Sequence, residues 1–267
     1  MKKAKTQKVL IIPDQHIPYN NPIYWKLLMK VAKEVQPEIV IILGDFADFY
    51  SVSGHDKDPR RNLNIAQEVA EVKKHLLDLK SIKAKRYIYI AGNHEYRMER
   101  NLMQKDPQMF LLFSKDGEDP TKNILELDKL GFEYIPYRKG VEVGKVFFTH
   151  DLGLAGKFAH YRSYDNRHGN IVIGHTHTIG YAIQGDSRGE RHVCTMLGWG
   201  GSKGYIDYMN EAKIAKDWSL GFGIGLLEEG GTMHIQPVPV IKYSCYADGK
   251  LYTVDDINLF KDDCEQH

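Results

Sequence analysis

The segment Ile171-Val172-Ile173-Gly174-His175-Thr176-His177 sets two imidazoles two residues apart, just past an apolar run and a glycine. If the run is a buried strand, Gly174 permits a sharp exit, and both histidines can turn back toward a common point. A divalent metal is one candidate for that point, and a metal site gathers ligands from several chain segments. Four other apolar runs end in groups of the same kind. Asp14 and His16 follow "VLIIP", Asp45 and Asp48 follow "IVIILG", Asn93, His94 and Glu95 follow "YIYIAG", and His150 and Asp151 follow "KVFFT". Imidazole, carboxylate and amide oxygen together suit manganese, iron, zinc or nickel, and the absence of thiolates argues against a purely soft site.

These groups need strands that end in one place. The spacing predicts strands at 9–13, 39–43 and 86–91, with a helix from Pro22, capped by Asn21, to about Val35, and a second from about Leu63 to Leu79. Near-continuous apolar strands separated by helices indicate a βαβαβ start with strands buried on both faces. Ligand-bearing loops then lie at the carboxyl ends of the strands, where open α/β sheets place their sites. The span 96–130 reads as helical and polar, interrupted at Asp106-Pro107 and at "SKDGEDP", and could form a cap beside the site. From Gly131 onward the pattern turns to strands, with hairpin turns expected at Glu228-Glu229-Gly230-Gly231 and Asp248-Gly249.

With 267 residues and 42% hydrophobic content, the chain can bury a large core, and residues 1–267 read as a single domain. A formal charge of +1 gives no overall electrostatic drive toward nucleic acid or membrane. Cys194, Cys245 and Cys264 are odd in number, widely spaced and without CxxC spacing, which suggests neither a disulfide framework nor a thiolate zinc site and fits a reducing, cytoplasmic setting. No apolar run approaches a membrane span or a signal h-region. Charge and composition leave the oligomeric state open.

The ordered set D-x-H (Asp14, His16), G-D-x-x-D (Gly44, Asp45, Asp48), G-N-H-E (Gly92 to Glu95), a strand-end His150 and G-H-x-H (Gly174, His175, His177) resembles the calcineurin-like metallophosphoesterase superfamily. The resemblance implies an α/β four-layer sandwich, two mixed β-sheets flanked by helices. It implies two divalent metal ions, manganese first and iron, zinc or nickel as alternatives, and hydrolysis of phosphate esters by metal-bound hydroxide. Carried over residue by residue, Asp14, His16 and His177 would bind the first metal and Asn93, His150 and His175 the second, with Asp45 bridging. His94 resembles the general acid, and Asp48 the carboxylate that orients it.

G-H-x-H resembles the nuclease, nucleotidase and cyclic-nucleotide phosphodiesterase branches, so nucleotides or nucleic-acid ends are the expected substrate class. The set departs from the protein serine/threonine phosphatases, because Phe49 stands where their G-D-x-x-D-R-G arginine would be. A protein phosphatase, a general small-molecule phosphomonoesterase and a non-catalytic interaction scaffold are the alternatives. Arg97, Arg60 and His55 are candidate substrate contacts, each also readable as a surface group. Glu95 reads first as an acidic residue favouring a helix N-terminus. Trp199, Tyr161, Tyr164, Tyr205 and the aromatics of "DFADFYS" could stack on a base, with core packing the default. The "GWGGSKG" segment lacks phosphate-loop spacing.

Overall fold

The computed structural model describes residues 5–53, 61, 63–114, 117–202 and 216–254. Strands β1 (Thr6–Ile12), β2 (Ile39–Leu43), β3 (Arg86–Ile90) and β4 (Glu133–Ile135) pair in parallel, in that order. Their aliphatic residues alternate between two cores. Val9, Ile11, Ile39, Ile41 and Leu43 face a second sheet, whereas Leu10, Ile12, Val40 and Ile42 face helices. Period-2 alternation with both faces apolar is what a strand covered on both sides requires.

The second sheet holds β5 (Gly140–Val143), β6 (Val146–Thr149), β7 (Asn170–Ile173), β8 (Ile179–Gly185) and β9 (Arg191–Leu197), in the order β5-β6-β7-β9-β8. Strands β6, β7 and β9 run parallel, and β5 and β8 are antiparallel edges. The chain then returns to the first sheet. There β10 (Gly221–Glu228) pairs antiparallel with β1, and β11 (Met233–Pro239) closes that edge. β12 (Ser244–Ala247) and β13 (Lys250–Thr253) form a separate hairpin, turning at Asp248-Gly249 as expected.

Helix α1 (Pro22–Val35) covers the outer face of the first sheet. Asn21 caps it by accepting from the Ile23 and Tyr24 amides, with Pro22 at the first helical position. Helix α2 (Ile65–Lys80) starts two residues later than expected, because Asn64 and Gln67 form a reciprocal capping box. Helix α3 (Asn93–Lys105) starts three residues earlier than expected, because Glu95 takes the Gly92 amide. Prolines open α4 (Pro107–Phe113) and α5 (Pro120–Ile124), and α6 (Leu127–Leu130) precedes β4. Helix α7 (Ala159–Arg167) covers the outer face of the second sheet over Ile171, Ile173, Cys194 and Met196.

The layers are therefore helices, sheet, sheet, helix: the four-layer α/β sandwich with two mixed sheets. Val9, Ile41, Ile88, Phe148 and Val172 fill the space between the sheets. Each is fully buried, and such a side chain contributes about 2 kcal/mol through the area it removes from water. No helix among the described residues is long and apolar enough to cross a membrane.

Candidate metal centre

The carboxyl ends of β1, β2, β3, β6 and β7 open toward one place, and backbone bonds lace the loops that follow them. The Asp14 amide donates to Gly44 O at 3.2 Å, the His16 amide to Asp45 O at 2.9 Å, and the Gly174 amide to His150 O at 2.9 Å. Asp14, His16, Asp45, His175 and His177 all have positive φ, between 36° and 69°. Side chains rarely adopt this left-handed conformation, and each instance costs on the order of 1 kcal/mol or more. The lacing holds them in it, and the turn aims each side chain inward.

The motif glycines leave room for the ligand-type residues. A Cβ on Gly92 would lie 2.2 Å from Asp45 Oδ1, and one on Gly44, whose φ is +92°, would lie 2.3 Å from His150 Nδ1. Gly174 lies outside the left-handed region, so its expected role as the turning residue is taken by His175 and His177. What Gly174 lacks is a Cβ that would sit 2.8 Å from Asp14 Oδ2.

Three donor groups result among the described residues; Asp45 belongs to two of them, and the third is His16, Asp48 and His94. Asp14, His16, Asp45 and His177 each offer an atom within 4.8 Å of the others, and Asp45, His150 and His175 do the same. In the first set His16 Nε2 faces His177 Nε2 at 3.0 Å, and His177 Nε2 lies 3.5 Å from Asp14 Oδ1. In the second, Asn93 Oδ1 lies 2.8 Å from His175 Nδ1 and 3.0 Å from His150 Nε2, which is 3.3 Å from Asp45 Oδ2.

Neighbouring groups select the tautomers. His150 Nδ1 donates to Leu43 O at 2.9 Å, and His16 Nδ1 to Asp48 Oδ2 at 3.1 Å, which leaves both Nε2 lone pairs facing the cluster. Imidazole nitrogens converging with carboxylates and an amide oxygen are the donor set of a borderline divalent cation. The residues therefore fit two such ions.

Beside the first set, His94 Nδ1 lies 3.1 Å from the Asp48 carbonyl and 3.3 Å from Asp48 Oδ2. Arg97 Nη2 approaches His94 Nε2 at 3.1 Å. Asp48 thus serves two rings, His16 and His94. Burial disfavours the charged form of His94, but Asp45 and Asp48 outweigh it and raise its pKa. Burial would likewise raise Asp48 and Asp45, yet the surrounding imidazoles hold both well below the usual carboxylate range. Asp14 is pushed up to about 6 by burial, which His150 only partly offsets.

Glu95 is fully buried and does more than favour a helix end. Its carboxylate accepts from the amides of Asp45, Phe46, Ala47 and Gly92 and from the Tyr89 hydroxyl, at 2.7–3.0 Å. It therefore ties the Asp45 loop to the Asn93–His94 turn. The sequence signal available was the Gly-x-x-Glu spacing at a helix start, where Glu95 reads first as favouring the helix dipole.

Other candidates fall variously. Trp199 is buried and stacks on His177, with centroids 4.9 Å apart at 16°. Phe46, Phe49 and Tyr50 are core residues. Tyr161 is exposed on α7, and Tyr164 packs near His168 and His192. His55, Arg60, Lys203 and Tyr205 lie outside the described residues.

Among known proteins, the chain is 23% identical over 272 residues to "Gene 54 protein" of Mycobacterium phage L5, covering 93% of this chain and 100% of that one. Of solved structures, Vacuolar Protein Sorting 29 from Cryptosporidium parvum matches with a TM-score of 0.45 and 16% identity, covering 92% of this chain and 94% of that chain. Yfce, a phosphoesterase from E. coli, matches at 0.38 and 14%, covering 86% and 98%. The family model for calcineurin-like phosphoesterases matches residues 7–227, most of the strands and every ligand-type residue described above. The chain belongs to the calcineurin-like phosphoesterase family.

Proposed function

We propose that this protein is a binuclear metal-dependent phosphoesterase whose substrates are nucleotides or nucleic-acid ends. The observation that carries the reading is the sharing of Asp45 between two donor sets. Asp14, His16 and His177 would hold one cation and Asn93, His150 and His175 the other, with Asp45 shared between them. Divalent ions there, manganese first among the candidates, would supply Lewis acidity toward a phosphoryl oxygen and acidify a water.

The chain's own groups do the rest. His94, whose imidazolium form Asp45 and Asp48 favour, gives a proton to the leaving oxygen from Nε2. Asp48 holds the other face of that ring in register. Arg97 leaves Nε2 when substrate arrives and pairs its planar fork with a non-bridging phosphate oxygen. Residues 96–130 cap the site, a reading supported by Arg97 lying on the helix that begins it. The setting is cytoplasmic, in keeping with the free, buried Cys194 and Cys245.

The test measures metal content and hydrolysis of 4-nitrophenyl phosphate, its bis ester and nucleotides by manganese-loaded protein. Wild type binds two ions per chain and turns over at least one of these substrates. His94→Ala keeps both ions but loses about 10²–10⁴ in turnover, whereas Asp45→Ala loses metal. Wild-type activity in either variant would overturn the mechanism.

A further inference from the structure

A sheet ends in edge strands whose free backbone groups can pair with another strand unless something blunts them. Among the described residues the two large sheets end in β4, β11, β5 and β8. Three of these edges are blunted. β4 is three residues long and begins with Glu133, which Arg86 holds at 2.7 Å. β5 is four residues long and carries Glu142, paired with Arg167. β11 contains Pro237 and Pro239, opposite Gly223 and Gly221. The Glu228 amide donates to Thr232 O, so the even-numbered residues of β11 bond to β10. Both prolines therefore stand at outward positions, where any other residue would offer an amide donor.

β8 has none of these devices. Its seven residues, Ile179 to Gly185, include no charge and no proline. The Gly198 amide donates to Thr178 O just before the strand, and the Asp186 amide to Glu190 O just after it. In that alternation Gly180, Ala182 and Gln184 bond to β9, while Ile179, Tyr181, Ile183 and Gly185 turn their amides and carbonyls to the open edge. Among the described residues nothing bonds the backbone of Tyr181 or Ile183 there. Ala182, between them, lies opposite Cys194 of the cluster that α7 covers, so the Tyr181 and Ile183 side chains lie on the other face. Both are exposed, Tyr181 by 45% and Ile183 by 60%. On the α7 face Tyr161 is exposed too, and its carbonyl accepts from the Gln184 side chain.

This edge is complementary to itself. Antiparallel pairing of β8 with a second copy about a two-fold axis at Ala182 sets Tyr181 opposite the partner's Ile183, and Ile183 opposite the partner's Tyr181. Both pairs join outward-facing residues, so each exchanges two backbone hydrogen bonds. An aromatic ring across from a β-branched side chain is a favourable cross-strand pair, and a strand without charge meets no repulsion from its copy. A two-fold contact needs one patch that fits itself. We propose that β8 is a dimer interface, at which two copies of this chain join their five-stranded sheets edge to edge into one continuous sheet. At the rise of a β-strand the His177 residues of the two copies then stand about 34 Å apart along the strand direction. Each donor cluster stays complete within its own chain.

Sedimentation equilibrium of the full chain, with hydrogen exchange read by mass spectrometry over residues 179–185, tests this. Wild type should be a dimer, and exchange in that segment should slow by at least about ten-fold as concentration rises through the dissociation constant. Ile183→Lys sets an ammonium group on each side of the axis and should weaken the dimer by at least about 100-fold, ten-fold for each of the two symmetry-related sites. Ile183→Thr keeps the β-branch, trims the apolar contact and should weaken it by about ten-fold. Leu251→Lys, at an equally exposed position on β13, should leave it unchanged. Circular dichroism of all three variants should match wild type. A monomer at every concentration would leave the edge to an extended segment of another protein and overturn the proposal. A dimer that Ile183→Lys leaves intact, or one in which residues 179–185 exchange at an unchanged rate, would overturn it as well.

Discussion

Arg97 Nη2 lies 3.1 Å from His94 Nε2, on the nitrogen of that ring that Asp48 leaves free. Arginine can only donate, so this approach opposes the imidazolium that Asp45 and Asp48 favour. Removing Arg97 should therefore raise the His94 pKa further. A general acid works while protonated, so activity falls as pH rises through its pKa. In Arg97→Ala the basic limb of kcat/KM against pH should move upward, and KM should rise about ten-fold as the phosphate contact is lost. A limb that stays in place or moves down would separate Arg97 from His94.

Glu95 should behave as a structural clamp. In Glu95→Gln an NH₂ group must face backbone amides that the carboxylate now satisfies, at a cost of about 3 kcal/mol or more. Tyr89→Phe removes only one of the five donors and should cost about 1 kcal/mol. Denaturant melts and metal stoichiometry check both, and a Glu95→Gln protein with wild-type stability and metal content would refute the clamp.

The motif glycines can be told from incidental ones. Gly92→Ala pushes a methyl onto Asp45 Oδ1 and should lower metal occupancy while destabilising the fold by about 1–3 kcal/mol. Gly230→Ala meets nothing within 4 Å and serves as the neutral control. Equal metal content and equal stability in the two would remove the close-approach argument.

Away from the metal ligands, Glu99 predicts a pH dependence of stability. Burial, and then Asp119, push its carboxyl up to about 7, although Thr121 and Tyr134 hydrogen bonds pull the other way. The folded value lies above the ordinary value near 4.5, so the folded state holds this proton more tightly than the unfolded chain. Its contribution is fully present below about 4.5 and is lost as pH rises to about 7. Glu99→Gln should therefore gain on the order of 2 kcal/mol at pH 8 and nothing at pH 4. Thermal melts at both values decide it, and equal gains would point to packing.

Local patterning carried a great deal. Near-continuous apolar runs marked the β1, β2 and β3 strands, and Asn21-Pro22 marked the start of α1, whereas the pattern places the start of α2, after Asn64, two residues early. The position of Asp, Asn and His just past each run marked the site. These signals are legible in sequence because alternation, capping and turn chemistry act between residues only a few positions apart. The meeting of those residues is of another kind. His16 and His177 face each other across 161 positions because β1 and β7 lie in different sheets packed face to face. The same packing gives Asp45 to both donor sets and turns Gly174 from a hinge into a gap for Asp14. None of this has a local signature, because strand order and sheet stacking determine which strand ends share a space.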